Sequence, residues 1–299
     1  MKTDNNMHQI PTAVRGILLT AIASCLASLS GHADEGTGRA GLKETAGIEA
    51  EAEFYAGKRG YLHGGLGVIM PLNEEQKLGF VGHFVREESG GEVFPSLGAE
   101  FVQDLGDGYE MEGFTFGYLP VEDQSAWALG LRGSRTLDLS NRVSLSPFFG
   151  PAYAQVRAID EATDDPVSIG HLMLLGGISV NAGPLDFTLF GSHSFFSRDS
   201  VGLETHVDLE ELTHLAAYEN NDGFARDTAG VEACYGVTEW LTLAGRYAFI
   251  RYDDRIRHSI SFTPEVKINS QWELFAGIQL LRGDGEDNDL LVTGAAFSF

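Results

Sequence analysis

Apolar and polar residues alternate along most of this chain. From Ile256 to Ile268, the residues Ile256, His258, Ile260, Phe262, Pro264, Val266 and Ile268 share one face. Arg257, Ser259, Ser261, Thr263, Glu265 and Lys267 share the other. A two-residue period marks a β-strand with one apolar and one polar face. The run is much longer than the roughly 5–6 residues usual for a strand in a globular protein. Glu49, Glu51, Glu53 and Tyr55 likewise oppose Ile48, Ala50, Ala52 and Phe54, and Trp272–Leu281 and Leu241–Tyr252 repeat the pattern.

Fourteen such segments are predicted, near residues 46–56, 60–70, 77–87, 93–104, 108–119, 125–137, 142–157, 168–181, 184–197, 223–236, 240–253, 256–268, 271–282 and 288–299. Twelve remains open if the glycine-rich run at 57–67 or the region 88–107 is not strand. Pro147 and Pro151 interrupt the seventh segment, where proline removes ladder donors, so local distortion is expected there. Connections after even-numbered segments are mostly tight, as at Gly106-Asp107, Ala182-Gly183 and Asn269-Ser270. Long ones, at 158–167 and 198–222, follow odd-numbered segments. An even strand number with short turns at one end and longer loops at the other is the layout of a transmembrane β-barrel of the up-and-down type. One stretch departs from it. Asp208–Asn220 spaces Leu209, Leu212, Leu215 and Ala216 helically behind an Asp208 cap, predicting a short helix in the largest external loop.

The first 33 residues read as a secretory signal peptide. Lys2 and Arg15 supply positive charge, Ile17–Leu29 the apolar core, and Gly31-His32-Ala33 a small-residue cleavage site. Ile22-Ala23-Ser24-Cys25 offers a competing lipoprotein site at Cys25. Residues 34–45 then form a short periplasmic segment, and 46–299 the barrel. Beyond the signal no stretch reaches the ~18 apolar residues a membrane helix needs, whereas a barrel strand spans with only ~9–11. A mean hydropathy of −0.07 suits strands whose two faces cancel. Cys234 is the only cysteine after the signal, which leaves no intrachain disulfide. The net charge of −23 excludes the basic surface that nucleic acid requires.

The last eleven residues, Asp289–Phe299 (DLLVTGAAFSF), alternate and stop on phenylalanine. This ending, with Phe297 and Phe299, resembles the C-terminal assembly signal of bacterial outer-membrane β-barrels. The chain as a whole resembles the porin-like barrels. The resemblance implies an all-β, antiparallel, monomeric barrel in the outer membrane of a Gram-negative-type bacterium. It also implies barrel-assembly machinery, outer-membrane lipids and lipopolysaccharide as partners.

Candidate chemistry lies on the inner face. Alternation turns Glu49, Glu51, Glu53, Glu100, Glu110, Glu112, Asp186, Glu232, Glu265 and Glu273 inward, against Arg132, Arg226, Arg246, Arg257, Lys77 and Lys267. An acidic excess on a water-filled lumen favours cations. The same groups could instead close the lumen through ion pairs, with Tyr55, Phe148, Phe190, Phe196 and Phe275 filling it. No catalytic site, metal site or cofactor is expected. Outer-membrane lipid hydrolases pair histidine and serine within a His-x-Ser-Asn run. Here His193-Ser194 are adjacent, and neighbours on a strand face opposite ways. Glu210, His214 and His206, on or near the loop helix, and the acidic run Gly283–Asp289 lack a fixed ligand framework. The expected function is passive diffusion of small solutes through a lumen that prefers cations. A non-conducting barrel working through its loops is the alternative, and a lipid hydrolase the third option. If the last strand closes the sheet against Ile48–Tyr55, the three glutamates of that strand lie beside Gly294, Ala296 and Ser298.

Overall fold

A computed structural model describes residues 47–57, 61–86, 91–121, 123–160, 162–163, 165–201, 203–204, 224–284 and 288–298. The expected signal peptide, the segment 34–45, the loop helix and Phe299 lie outside these residues.

Fourteen long strands follow one another: β1 (Glu49–Ala56), β2 (Leu62–Asn73), β3 (Gln76–Arg86), β4 (Phe94–Gly106), β5 (Tyr109–Val121), β6 (Gln124–Arg135, continued by Leu137–Ser140), β7 (Val143–Asp160), β8 (Asp165–Ala182), β9 (Leu185–Phe196), β10 (Asp227–Thr238), β11 (Leu241–Arg251), β12 (Ile256–Lys267), β13 (Trp272–Gly283) and β14 (Asn288–Ser298). Each pairs antiparallel with its neighbours in sequence, and β14 pairs with β1. The sheet therefore closes into a fourteen-stranded barrel with no free edge, the condition a β-structure must meet in lipid. The glycine-rich run at 57–67 belongs in part to β2, in unbroken register with β1 from Glu49↔Ile69 to Ala56↔Leu62.

The alternation decides inside and outside as the sequence predicts. Leu97, Leu129, Leu189, Ile260, Ile278 and Leu291 point outward and are 46–64% exposed, an apolar belt that only lipid would cover. Tyr109, Tyr235, Trp240 and Trp272 are exposed at the short-turn end, where amphipathic rings suit a headgroup boundary. The turns at that end are tight. The one joining β4 to β5 runs through left-handed backbone at Gly106, Asp107 and Gly108 (φ 80°, 53° and 77°).

Two features depart from expectation or refine it. The prolines leave the β6–β7 register unchanged, but the ladder is interrupted opposite them. Pairing stops at Gly130↔Ala152, resumes at Gly133↔Phe149, and stops again after Ser134↔Phe148. The predicted distortion is thus a loss of bonds on one side of β7, while its ladder with β8 is continuous. The long loop expected at 158–167 is instead the tip of a strand hairpin. Pairing of β7 with β8 runs out to Asp160↔Asp165. Apolar inward positions continue that far: Ala158 and Ile169 are fully buried, packed in one cluster with Leu203 and Phe224. The polar residues between had suggested a loop, but burial of the alternate residues extends the strands.

Inside the barrel, large rings stand opposite glycines. Phe114 faces Gly130, Phe116 faces Gly98, Phe148 faces Gly177, Phe190 faces Gly230 and Phe275 faces Gly294. In each pair the ring occupies the space a glycine side chain would take. Aromatic cover of cross-strand glycine lets bulky groups fold back against the wall and leaves room beside them.

Candidate functional site

The lumen has two halves of different chemistry. Nearer the short turns, a cavity of about 590 Å³ is walled by Glu51, Glu53, Glu100, Glu232, Glu265 and Glu273 together with Arg246. These acids reach it from β1, β4, β10, β12 and β13, because each occupies an inward position of its strand. Small neighbours keep the space open: Gly67 has no atom within 4 Å of where a side chain would begin. Arg246, the only cation among the described lining residues, lies with its guanidinium carbon 4.7 Å from the centre of the Phe190 ring.

The remaining predicted lumen residues are distributed otherwise. Glu49 faces Ser298 one step closer to the turn end, and Glu110 lies near the start of β5. Glu112 is buried and paired with Arg132 from the next strand, so these two charges offset each other on the wall. Arg226 is in the chain just before β10, at the loop end, and does not line the cavity. Its Nε and Nη2 donate to the two oxygens of Asp253, at 2.5 and 2.7 Å, and Ser200 donates to the same carboxylate at 2.9 Å. Hydrogen bonding from Arg226 is the main reason the Asp253 carboxyl is held below the usual carboxylate range. The partner effect raises the Arg226 guanidinium. Phe297 faces outward and packs on Trp272, with ring centres 4.4 Å apart.

Toward the loops the lumen is filled. Tyr55, Phe94, Phe116, Tyr118, Val156, Ile169, Leu203, Phe224 and Leu290 belong to one buried cluster that reaches across the barrel. Phe116 marks the boundary. It lines the cavity and meets Tyr118 edge-on at 5.6 Å.

At the same boundary lies a group the sequence reasoning missed. His63 Nε2 is 3.0 Å from His83 Nδ1, and Glu53 Oε1 is 3.9 Å from the same His83 nitrogen. The Tyr55 hydroxyl donates to the other Glu53 oxygen at 3.2 Å. Register assembles this group. Glu53, Gly65, His83 and Ser96 form one cross-strand row on β1–β4, and Tyr55, His63, Val85 and Phe94 form the next. Gly65 leaves the gap into which Glu53 and His83 lean from either side. Inward parity of all three residues and the tight β2–β3 turn were the available signal.

The His193–Ser194 pair divides between faces, as alternation requires. His193 faces out, its Nδ1 2.6 Å from Asp227 Oδ1, and Arg251 also donates to Asp227. Ser194 faces in, 2.8 Å from His171 Nε2 on β8 and buried with it. No chain of nucleophile, base and orienting acid runs through either histidine among the described residues. His206, Glu210 and His214 lie outside them. In the acidic hairpin, Arg282 pairs with Asp289 at 2.6 Å.

Comparison with solved structures follows from this architecture. The monoaromatic hydrocarbon channel CymD is similar over 85% of this chain and 88% of its own, with a TM-score of 0.51 and 10% identity. The toluene transporter TodX of P. putida is similar over 86% and 90%, with a TM-score of 0.49 and 10% identity. OprD of Pseudomonas aeruginosa is similar over 85% and 94%, with a TM-score of 0.45 and 9% identity. No family model matches the sequence, and the search of curated proteins likewise gave no match. The likeness to CymD is one of fold, a closed antiparallel β-barrel, which in this chain has fourteen long strands.

Proposed function

We propose that this chain is an outer-membrane channel for passive diffusion of small solutes, with a lumen that prefers cations. The observation that carries the proposal is the cavity of about 590 Å³ inside a closed barrel, walled by six glutamates against one arginine. Carboxylates grouped around a narrow aqueous space set a field that attracts cations and repels anions. In series with it stands the apolar and aromatic cluster of the loop half. That combination favours small solutes with an apolar or aromatic body and no negative charge. CymD, whose name describes a monoaromatic hydrocarbon channel, supports the view that such a barrel can pass such bodies. Diffusion needs no catalytic group, in keeping with a split His193–Ser194 pair. The apolar belt, aromatic rings at the turn end and closed sheet support residence in the outer membrane.

A second reading has its own observation. The buried cluster from Tyr55 to Phe224 spans the loop half of the lumen, as expected of a non-conducting barrel that acts through its loops. Solute flux separates the two. Proteoliposomes in isosmotic solutions of matched small solutes should swell faster with cationic and neutral aromatic solutes than with anionic ones. Swelling no faster than in protein-free vesicles would favour the non-conducting barrel.

A further inference from the structure

We propose that Glu53, His63 and His83 form a binding site for one divalent transition-metal ion, Zn²⁺ being the reference case. Each offers one donor atom, and the three donor atoms all lie within 4.8 Å of one another. Zinc bonds of about 2.0–2.2 Å to nitrogen and oxygen place tetrahedral ligands about 3.3 Å apart. The observed separations of 3.0 Å between the histidine nitrogens and 3.9 Å between Glu53 and His83 bracket that value. All three donors already lie within 4.8 Å, so side-chain rotation completes the set. Two imidazoles and a carboxylate are the donors a borderline-soft ion selects over Mg²⁺ or Ca²⁺, which take oxygen.

Three further features fit. The Tyr55 hydroxyl donates to the Glu53 oxygen other than the one beside His83, a bond that orients a ligating carboxylate. Gly65 lies between Glu53 and His83, and a side chain there would enter the space where they meet. Ser96, opposite His83 in the same inward row, is buried, and its hydroxyl has no partner among the described residues. The ion reaches the site from the acidic cavity, which Glu53 and His83 both line. It replaces the proton that the two facing histidine nitrogens share, and that proton moves to the far nitrogen of its ring. The bound ion would tie β1, β2 and β3 together.

The test uses the folded full-length barrel in detergent, stripped with chelator and titrated with Zn²⁺ and Co²⁺. The expected result is one tight ion per chain, with Co²⁺ absorption of tetrahedral or five-coordinate nitrogen–oxygen type. His63→Ala and His83→Ala should each weaken binding at least about ten-fold. His258→Gln, on the outer face, should leave it unchanged. X-ray absorption of the zinc-loaded parent should show imidazole scattering, which keeps the test valid if the variants do not fold. A parent ion without imidazole neighbours, binding that survives in the His63→Ala/His83→Ala double variant, or no saturable binding would overturn the proposal. The outcome is independent of whether the barrel conducts.

Discussion

Glu53 stands directly opposite Gly294 across the seam between β1 and β14, and the ring of Phe275 fills the space a side chain on Gly294 would need. Closure of the barrel and the placement of its acids are thus one event. The small inward residues Gly294, Ala296 and Ser298 face Glu53, Glu51 and Glu49 in turn.

Gly294→Leu should therefore impair closure. The added side chain meets both Phe275 and the Ala52 carbonyl, and overpacking of this kind costs about 1–3 kcal/mol. The folded, heat-modifiable band on an unboiled gel should weaken and the melting temperature should fall. Gly67→Ala, which adds a methyl group to open space, should leave both unchanged.

The cavity acids should set ion preference. Replacing Glu51, Glu100 and Glu273 together by Gln removes half of the six lining carboxylates while keeping their volume. Cation preference, read from the reversal potential in a salt gradient, should fall toward neutrality with little change in stability.

Phe116 stands where the cavity meets the apolar cluster. Phe116→Ala should raise conductance and solute flux by opening the boundary between the cavity and the apolar cluster. It should also cost about 3–5 kcal/mol, the usual penalty for a buried aromatic. A variant that loses stability without gaining flux would place the constriction elsewhere.

The loop-end clasp between Arg226 and Asp253 should depend on pH. The Asp253 carboxyl lies below its ordinary value of 3.8 in the folded protein, chiefly through its bond from Arg226. A depressed carboxylate stabilises the fold above the unfolded value and loses that contribution as pH falls through the folded value. Melting temperature should thus be flat from neutral pH to about pH 5 and decline below about pH 4. In Asp253→Asn the acid decline should be smaller, since one of the carboxylates responsible is gone.

The strands were legible because inside and outside alternate without a break. All fourteen lie within a few residues of their expected positions, and the β1–β14 seam followed from closure alone. The β7–β8 hairpin was not legible. Polar residues around Asp160–Asp165 suggested a loop, while the burial that extends the strands comes from Leu203 and Phe224, distant in sequence. Depth was hidden for a related reason. Alternation shows that Tyr55, Phe94 and Tyr118 face inward, but not that they meet across the lumen. His63, His83 and Glu53 were each assignable to the inner face, yet their convergence depends on the registers of three strands and on a gap at Gly65. The depth of Arg226 was hidden as well: it sits just before β10 at the loop end, its guanidinium 5.4 Å from the Phe196 ring, away from the cavity.

Single-channel recording tests the central claim most directly. The purified, heat-modifiable barrel, added to a planar bilayer, should produce discrete conductance steps, and a salt gradient should give a reversal potential of cation-selective sign. A folded barrel that gives no current at any applied voltage, or a current that prefers anions, would contradict it.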